Sequence, residues 1–553
     1  MRFAELAATS QAVAATRSRL AKVDALAALL ARTSIDLVPA VTGMLAGALR
    51  QGRVGVGGAV LRRTRDVAPL PVGANGHSGT GADSGPGKDG DDRGALTVAE
   101  LDATLDELAA LAGPGSAAHR EQLVAGLLAR ADAPGQRLLR GLLAGEVRQG
   151  AQESLLLDAV ARVAEVPGPV ARRALMLSGD LAVTAAAALA EPRSQAAGRL
   201  REFGLVVGRP VRPMLASPAD SVAAAVGQPP RQVSVEHKLD GARIQVHRRG
   251  DTVRVFTRTL HEVTSRVSDL VAVVAAMPCG TVVLDGESLT LTEDGRPRPF
   301  QETMARFGTG PSDTAAPDAG AAEPPPDGQR ALRPFFFDCL HLDGIDLLDE
   351  PLHLRQAALA RVAAGLVVPG TTTDDPETAA EVLAASLAAG HEGVVVKDID
   401  SPYAAGRRGA AWRKVKPVAT LDLLVIGVEP GSGRRTGTLS NLHLGARDPD
   451  GGPPIMVGKT FKGMTDELLA WQTVRLKELA VAGDDSDGGW VVRVRPELVV
   501  EIALDGAQIS PRYPGGLALR FARVVRYRPD KEPAQADTLE AIRALLPRSA
   551  DTA

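Results

Sequence analysis

The 553-residue chain has two cysteines, Cys279 and Cys339, and only 3% of its residues are aromatic. Two thiols in apolar, strand-like surroundings cannot supply a disulfide framework or a four-cysteine zinc module, and they read as buried thiols in a reducing compartment. No run of 18 or more apolar residues occurs, which excludes a membrane-spanning helix. The first twenty residues set charges into a helical pattern and lack the apolar stretch and cleavage site of a secretory signal. A cytoplasmic, nucleoid-associated protein is expected. Excess charge is missing as well: 63 Lys and Arg against 66 Asp and Glu leave a net charge of −3. Nucleic-acid binding usually leaves a basic footprint, so the sum is uninformative and the distribution matters more. Arg407, Arg408, Arg413, Lys414 and Lys416 lie in an acid-free stretch, and Arg520, Arg523, Arg526 and Arg528 form a second cluster.

The length is more than one core usually fills, so three or four domains are expected. Residues 1–205 carry Leu, Val and Ala at three-to-four spacing, as in LAKVDALAALLAR and ESLLLDAVARV, which predicts an all-α domain. From about 231 the period becomes two, in VSVEHK, ARIQVHRRGDTVRVFTR and TVVLDGESLTL. A mixed α+β domain is expected over 206–417. Residues 418–553 hold short strands and one helix, TDELLAWQTVRLKELA, which suits a small β-barrel of the OB-fold type. Residues of about 66–95 and 309–331 are rich in Gly, Ser, Pro and Asp and poor in core formers, and read as surface insertions.

The most informative segment is Val235-Glu236-His237-Lys238-Leu239-Asp240-Gly241-Ala242-Arg243. Strand propensity runs to Lys238, Asp240-Gly241 makes a tight turn, and a second strand starts at Arg243. A lysine so placed faces a pocket rather than bulk water. Its amine attacks phosphorus only when deprotonated, which calls for nearby cations or burial. Four residues alone are weak evidence, and a surface hairpin would also carry them. Their weight comes from LDGES, FFFDCL, HEGVVVK and WRKVK, which follow in order. Alternation places Lys414 and Lys416 on one strand face, whereas the same counting sets Lys397 opposite Glu392 and leaves it out of the site. Glu287 and Glu392, on separate strands without a histidine cluster, suit Mg²⁺ rather than zinc.

This ordered set resembles the ATP-dependent DNA ligases of the nucleotidyltransferase superfamily, in the form with a helical DNA-binding domain ahead of the catalytic core. The likeness spans about 100–545. It implies an all-α N-terminal domain, an α+β nucleotidyltransferase (adenylation) domain and a C-terminal OB-fold β-barrel. It also implies ATP as AMP donor, Mg²⁺, and a monomer encircling nicked double-stranded DNA. By resemblance, Lys238 takes the AMP, Glu236 reads the adenine edge and Phe337 stacks on the base. Arg243 and Arg258 engage nucleotide and nick, Arg408, Lys414 and Lys416 bind phosphate, and Glu287 and Glu392 support metal, Glu287 also serving the ribose. Arg520, Arg523 and Lys531, in LRFARVVRYRPDK, would orient the departing pyrophosphate; Ala522 stands where such ligases usually have Pro. Leu142–Gly150, with Arg148, resembles the DNA-binding domain and would grip phosphate without reading bases. RNA ligases and capping guanylyltransferases share the lysine chemistry but are disfavoured by the long helical domain and Glu236. An NAD-dependent bacterial ligase would need the absent zinc module.

Overall fold

The computed structural model describes residues 1–52, 54–69, 95–147, 153–307, 331–404, 408–432, 435–481 and 490–546. The two expected insertions fall almost wholly on 70–94 and 308–330, outside the described residues. Arg148 also lies outside them.

Up to Arg201 the described chain is helical, apart from bridges and turns. The periodic segments fold where their spacing places them, at Arg19–Leu30, Val98–Ala110, Ser116–Arg130 and Glu153–Val163. Local chemistry sets the ends. Thr97 Oγ1 accepts from the Glu100 amide at 3.2 Å while the Glu100 carboxylate accepts from the Thr97 amide at 2.9 Å, a reciprocal cap. Leu26, Leu29 and Leu30 then share one apolar core with Leu156, Val160 and Leu101.

The middle region contains strands β1 (Leu215–Pro218), β2 (Val233–Lys238), β3 (Ala242–Arg249), β4 (Thr252–Thr257) and β5 (Thr281–Thr290). It continues with β6 (Leu332–Leu342), β7 (Ile345–Asp346), β8 (Gly370–Thr373), β9 (Gly393–Asp398) and β10 (Arg408–Val415). They form two five-stranded sheets, ordered β1-β10-β9-β2-β8 and β4-β3-β5-β6-β7. Leu270, Val274, Leu359 and Val362 from two helices bury Ile244, Val246, Leu284 and Phe336 of the second sheet. Val222, Val226 and Ala379 cover Val233, Val235, Val394 and Val396 of the first. The chain crosses from one sheet to the other between β2 and β3, over Leu239-Asp240-Gly241. That crossing places the end of β2 at the junction of the two sheets.

The last region has β11 (Ala419–Pro430), β12 (Leu439–Ala446), β13 (Ile455–Thr460), β14 (Val492–Arg493), β15 (Val499–Leu504), β16 (Gly506–Ile509), β17 (Leu517–Arg520) and β18 (Arg523–Tyr527). One sheet runs β13-β12-β11-β15-β18, with β14 added to β11, and β16-β17 is a separate hairpin. The helix Asp466–Glu478 packs Leu476 against Leu442 and Val500. Among the described residues no ladder joins β13 to β18, so the sheet is not closed into a barrel by strand pairing. No helix among them is long and apolar enough to cross a membrane.

The three regions touch. Met176 and Leu177 enter a cluster with Val211, Met214, Leu340, Tyr403 and Trp412. Arg212 grips Glu153 with two hydrogen bonds of 2.6 and 2.5 Å.

Candidate active site

Lys238 ends β2 opposite Gly393 of β9, and the Glu392 amide donates to the Lys238 carbonyl at 3.0 Å. Two glycines make this approach possible. A Cβ on Gly241 would stand 2.4 Å from the Ser288 carbonyl oxygen, and one on Gly393, where φ is +144°, 2.2 Å from that of Val415. Glu392 therefore projects toward Lys238, whose ammonium donates to its carboxylate. Lys416 Nζ reaches the same oxygen at 2.5 Å. Burial alone would push the Glu392 carboxyl up; Lys238 and Lys416 overcome it and hold it down at about 2.

The second sheet supplies the facing wall. Arg243 of β3 stands opposite Glu287 of β5 and donates to Asp285 at 3.0 and 2.6 Å. The Tyr403 hydroxyl donates to the same Asp285 at 2.6 Å. Burial pushes the Glu287 carboxyl up to about 8, although Arg243 and Lys238 draw it the other way. Phe337 owes its position to a bulge. Asp338 pairs with Asp285 and Phe336 with Gly286, so Phe337 is the extra residue of β6. An extra residue re-aims its side chain. Phe336 is accordingly core, while Phe337 faces the cleft, edge-on to Trp412 with ring centroids 5.8 Å apart. Arg258, in the turn after β4, is exposed on the rim.

Lys414 and Lys416 both reach the cleft, as alternation requires, and the Arg408 side chain lies outside the described residues. The C-terminal region closes the mouth. Arg520 donates to both oxygens of Asp240, at 2.7 and 3.2 Å, and lies 3.8 Å from Glu392. Arg523 lies 3.7 Å from Asp505, which lies 3.5 Å from Lys416. The cleft measures about 1590 Å³, more than the 300–1,000 Å³ or so of an ordinary small-molecule pocket. It has room for a nucleotide beside part of a larger substrate.

Residues 213–416 match the model of the ATP dependent DNA ligase domain, 435–531 that of the ATP dependent DNA ligase C terminal region, and 82–161 that of the DNA ligase N terminus. A "Probable DNA ligase" of Nocardia farcinica is 54% identical over 99% of this chain and 100% of the relative. The chain belongs to the ATP-dependent DNA ligases. One of Mycobacterium marinum is 50% identical over 99% of this chain and 100% of its own. The solved structure described as "Pmar-Lig_PreS3" shares the fold, with a TM-score of 0.56, 16% identity and coverage of 95% of this chain and 99% of its own. As a member of this family the protein seals nicks in DNA through an enzyme–AMP intermediate drawn from ATP.

Two residues of this ligase stand differently from expectation. Lys531 is not among the residues lining the cleft; its ammonium pairs with Asp422 at 2.5 Å beside Arg528. Lys397, left out by strand counting, lines the cleft wall at 1% exposure. The counting failed because Glu392 precedes β9 and Gly393 breaks the alternation. Lys397 pairs with Glu236 at 2.5 Å, donates to the Phe337 carbonyl at 3.2 Å, and sits over the Phe337 and Trp412 rings at 4.5 and 4.4 Å. The Ser234 hydroxyl and Gln356 Nε2 donate to the other Glu236 oxygen at 3.0 and 2.9 Å. Burial raises the Glu236 carboxyl, with Lys397 opposing. The β9–β10 ladder pairs Trp412 with Lys397 and Lys414 with Val395, which sets Lys397 on the face that carries Lys414.

Proposed function

We propose that Lys238 is the residue that carries AMP in this ligase, and that the cleft between the two sheets is where ATP and the nick react in turn. One observation carries the reading: Lys238 lies at the junction of the sheets within a ring of cations drawn from β3, β10 and the C-terminal region. Phosphoryl transfer is mainly a matter of position and charge neutralisation, and this ring supplies both. Lys238 attacks the α-phosphate as a neutral amine, so its partly exposed Nζ first gives a proton to water in the cleft. Lys416 shares the Glu392 oxygen that Lys238 meets, and Arg520 lies 3.8 Å from the other. The α-phosphorus bonds to Nζ while its bond to the β-bridging oxygen breaks and pyrophosphate leaves. The 5′-phosphate at the nick then takes the AMP from Lys238, and the 3′-hydroxyl displaces AMP to form the phosphodiester.

Arg243, Arg258, Arg408, Lys414 and Lys416 neutralise phosphate through these steps, and Arg520 and Arg523 orient the pyrophosphate. Lys531 takes part only if its pair with Asp422 is given up. Phe337 is the stacking surface for adenine; Glu236, tied to Lys397, is positioned for its edge. Glu392, ionised between two lysines, offers a hard oxygen donor, and Glu287, which burial keeps protonated near neutral pH, becomes one when a cation displaces its proton. Among the described residues no cluster of three or more His, Cys, Asp and Glu is set for a metal, so water and phosphate oxygens would have to complete the coordination. Those two carboxylates would hold Mg²⁺, which when bound supplies charge neutralisation to the phosphates.

We divide the chain into a helical DNA-binding domain (1–205), an adenylation domain (206–417) and an OB-fold domain (418–553), acting as a cytoplasmic monomer that encircles nicked duplex. The test is incubation with labelled ATP and Mg²⁺, then a chase with nicked DNA. Wild type should form an adduct that transfers to the DNA; in parallel incubations, an adduct from labelled GTP and none from labelled ATP would overturn the reading.

A further inference from the structure

The C-terminal hairpin presents two charges of opposite sign to the core. Arg520, at the end of β17, reaches Asp240 of the turn between the sheets. Asp505, just before β16, reaches Lys416 beyond the end of β10 at 3.5 Å. The hairpin holds the two together: the Asp505 amide donates to the Arg520 carbonyl at 3.0 Å, and Gly506 pairs with Arg520. The core thus answers acid with lysine and arginine with acid, across one face of the cleft. Opposite polarity at two points fixes a docking register, because sliding or turning the hairpin brings like charges together. Asp505 also faces Arg523 at 3.7 Å, so the same carboxylate that docks on the core holds that arginine toward the cleft. Side-chain exposures of 17% for Lys416 and 22% for Asp505 place the pair partly out of water, where it is screened less than a surface pair.

We propose that Asp505 is a positioning residue for enzyme adenylation, docking the C-terminal region on the core through Lys416 and aiming Arg523 at the departing pyrophosphate. The proposal rests on the reading of Lys238 as the AMP carrier. Asp505 makes no bond to the reacting atoms, and its effect is confined to the step that needs the hairpin docked. Sealing of a nick that already carries AMP uses neither ATP nor pyrophosphate, and should not need it.

The experiment uses the full chain with Asp505→Asn, Asp505→Glu and, as control, Lys238→Ala. Single-turnover adduct formation is measured against ATP concentration, beside sealing of a pre-adenylated nick without ATP. Asp505→Asn should slow adduct formation about tenfold, chiefly in the rate at saturating ATP. Its sealing of the pre-adenylated nick should stay within about twofold of wild type, which also reports that the variant is folded. Asp505→Glu, which keeps the charge, should recover most of the loss. Equal loss in both assays, no loss in either, or failure of Asp505→Glu to exceed Asp505→Asn would overturn the proposal. An adduct on Lys238→Ala would instead overturn the assignment of the nucleophile, separating the two failures.

Discussion

Lys238, Glu392 and Lys416 act as one charge unit, since a single carboxylate oxygen meets both ammonium groups. Replacing Lys238 by Ala removes the nucleophile but no large apolar area. The variant should fold with wild-type thermal stability, form no AMP adduct and seal no nick with ATP. An adduct at the wild-type level would move the nucleophile elsewhere. A second carboxylate, not among the residues lining the cleft, gives a test in stability rather than rate. Glu429 is opposed by burial but accepts from Lys459 at 2.5 Å and Asn441 Nδ2 at 2.6 Å, with His443 Nε2 at 2.9 Å, and these hold it down at about 2. Its folded value lies below the ordinary carboxylate value. The stabilisation is therefore complete above about pH 4.5 and lost as pH falls toward about 2. Glu429→Gln should cost about 1 kcal/mol at pH 7 after solvent screening, and the difference from wild type should shrink steadily in denaturant melts below pH 5.

At the scale of elements, the site depends on irregularities in the sheets. The bulge at Phe337 turns one ring of three toward the cleft, and the left-handed φ of Gly393 lets Glu392 share a face with residues that counting would set opposite it. The two long insertions are expected to have no such part. Their composition is poor in core formers, and closing a longer surface loop adds little entropy cost. Deleting residues 72–93, or 312–328, should leave nick sealing within about threefold of wild type in a gel assay. A hundredfold loss with folding retained would assign the deleted segment a function.

For the whole molecule, the cleft is completed only when the C-terminal region is docked. A chain ending at residue 417 lacks Arg520, Arg523 and Asp505. It should lose adduct formation by about a hundredfold or more while still sealing a pre-adenylated nick slowly. Adduct formation at the wild-type rate would confine that region to DNA contact. Removing residues 1–200 should have the contrary effect, sparing the adduct and sharply weakening gel-shift binding to nicked duplex, whose phosphate charge needs contacts from several sides. This truncation also strips Met176 and Leu177 from Val211, Met214 and Leu340, so its melting temperature should fall.

The sequence by itself determined the helical first region, the change of period near residue 231, the strand that ends at Lys238, and the common face of Lys414 and Lys416. Each follows from local spacing, which carries the 3.6 and 2.0 residue periods directly. Only the tertiary structure decided that Lys397 belongs to the cleft, that Lys531 sits with Asp422, and that Asp505 meets Lys416. A bulge or a left-handed glycine shifts every later position on a strand, and neither leaves a reliable mark in composition. Lys531 meets Asp422 because β11 and β18 flank β15 in one sheet, and Asp505 meets Lys416 because the C-terminal hairpin docks on the core; both contacts join residues about a hundred positions apart, where spacing along the chain carries no information.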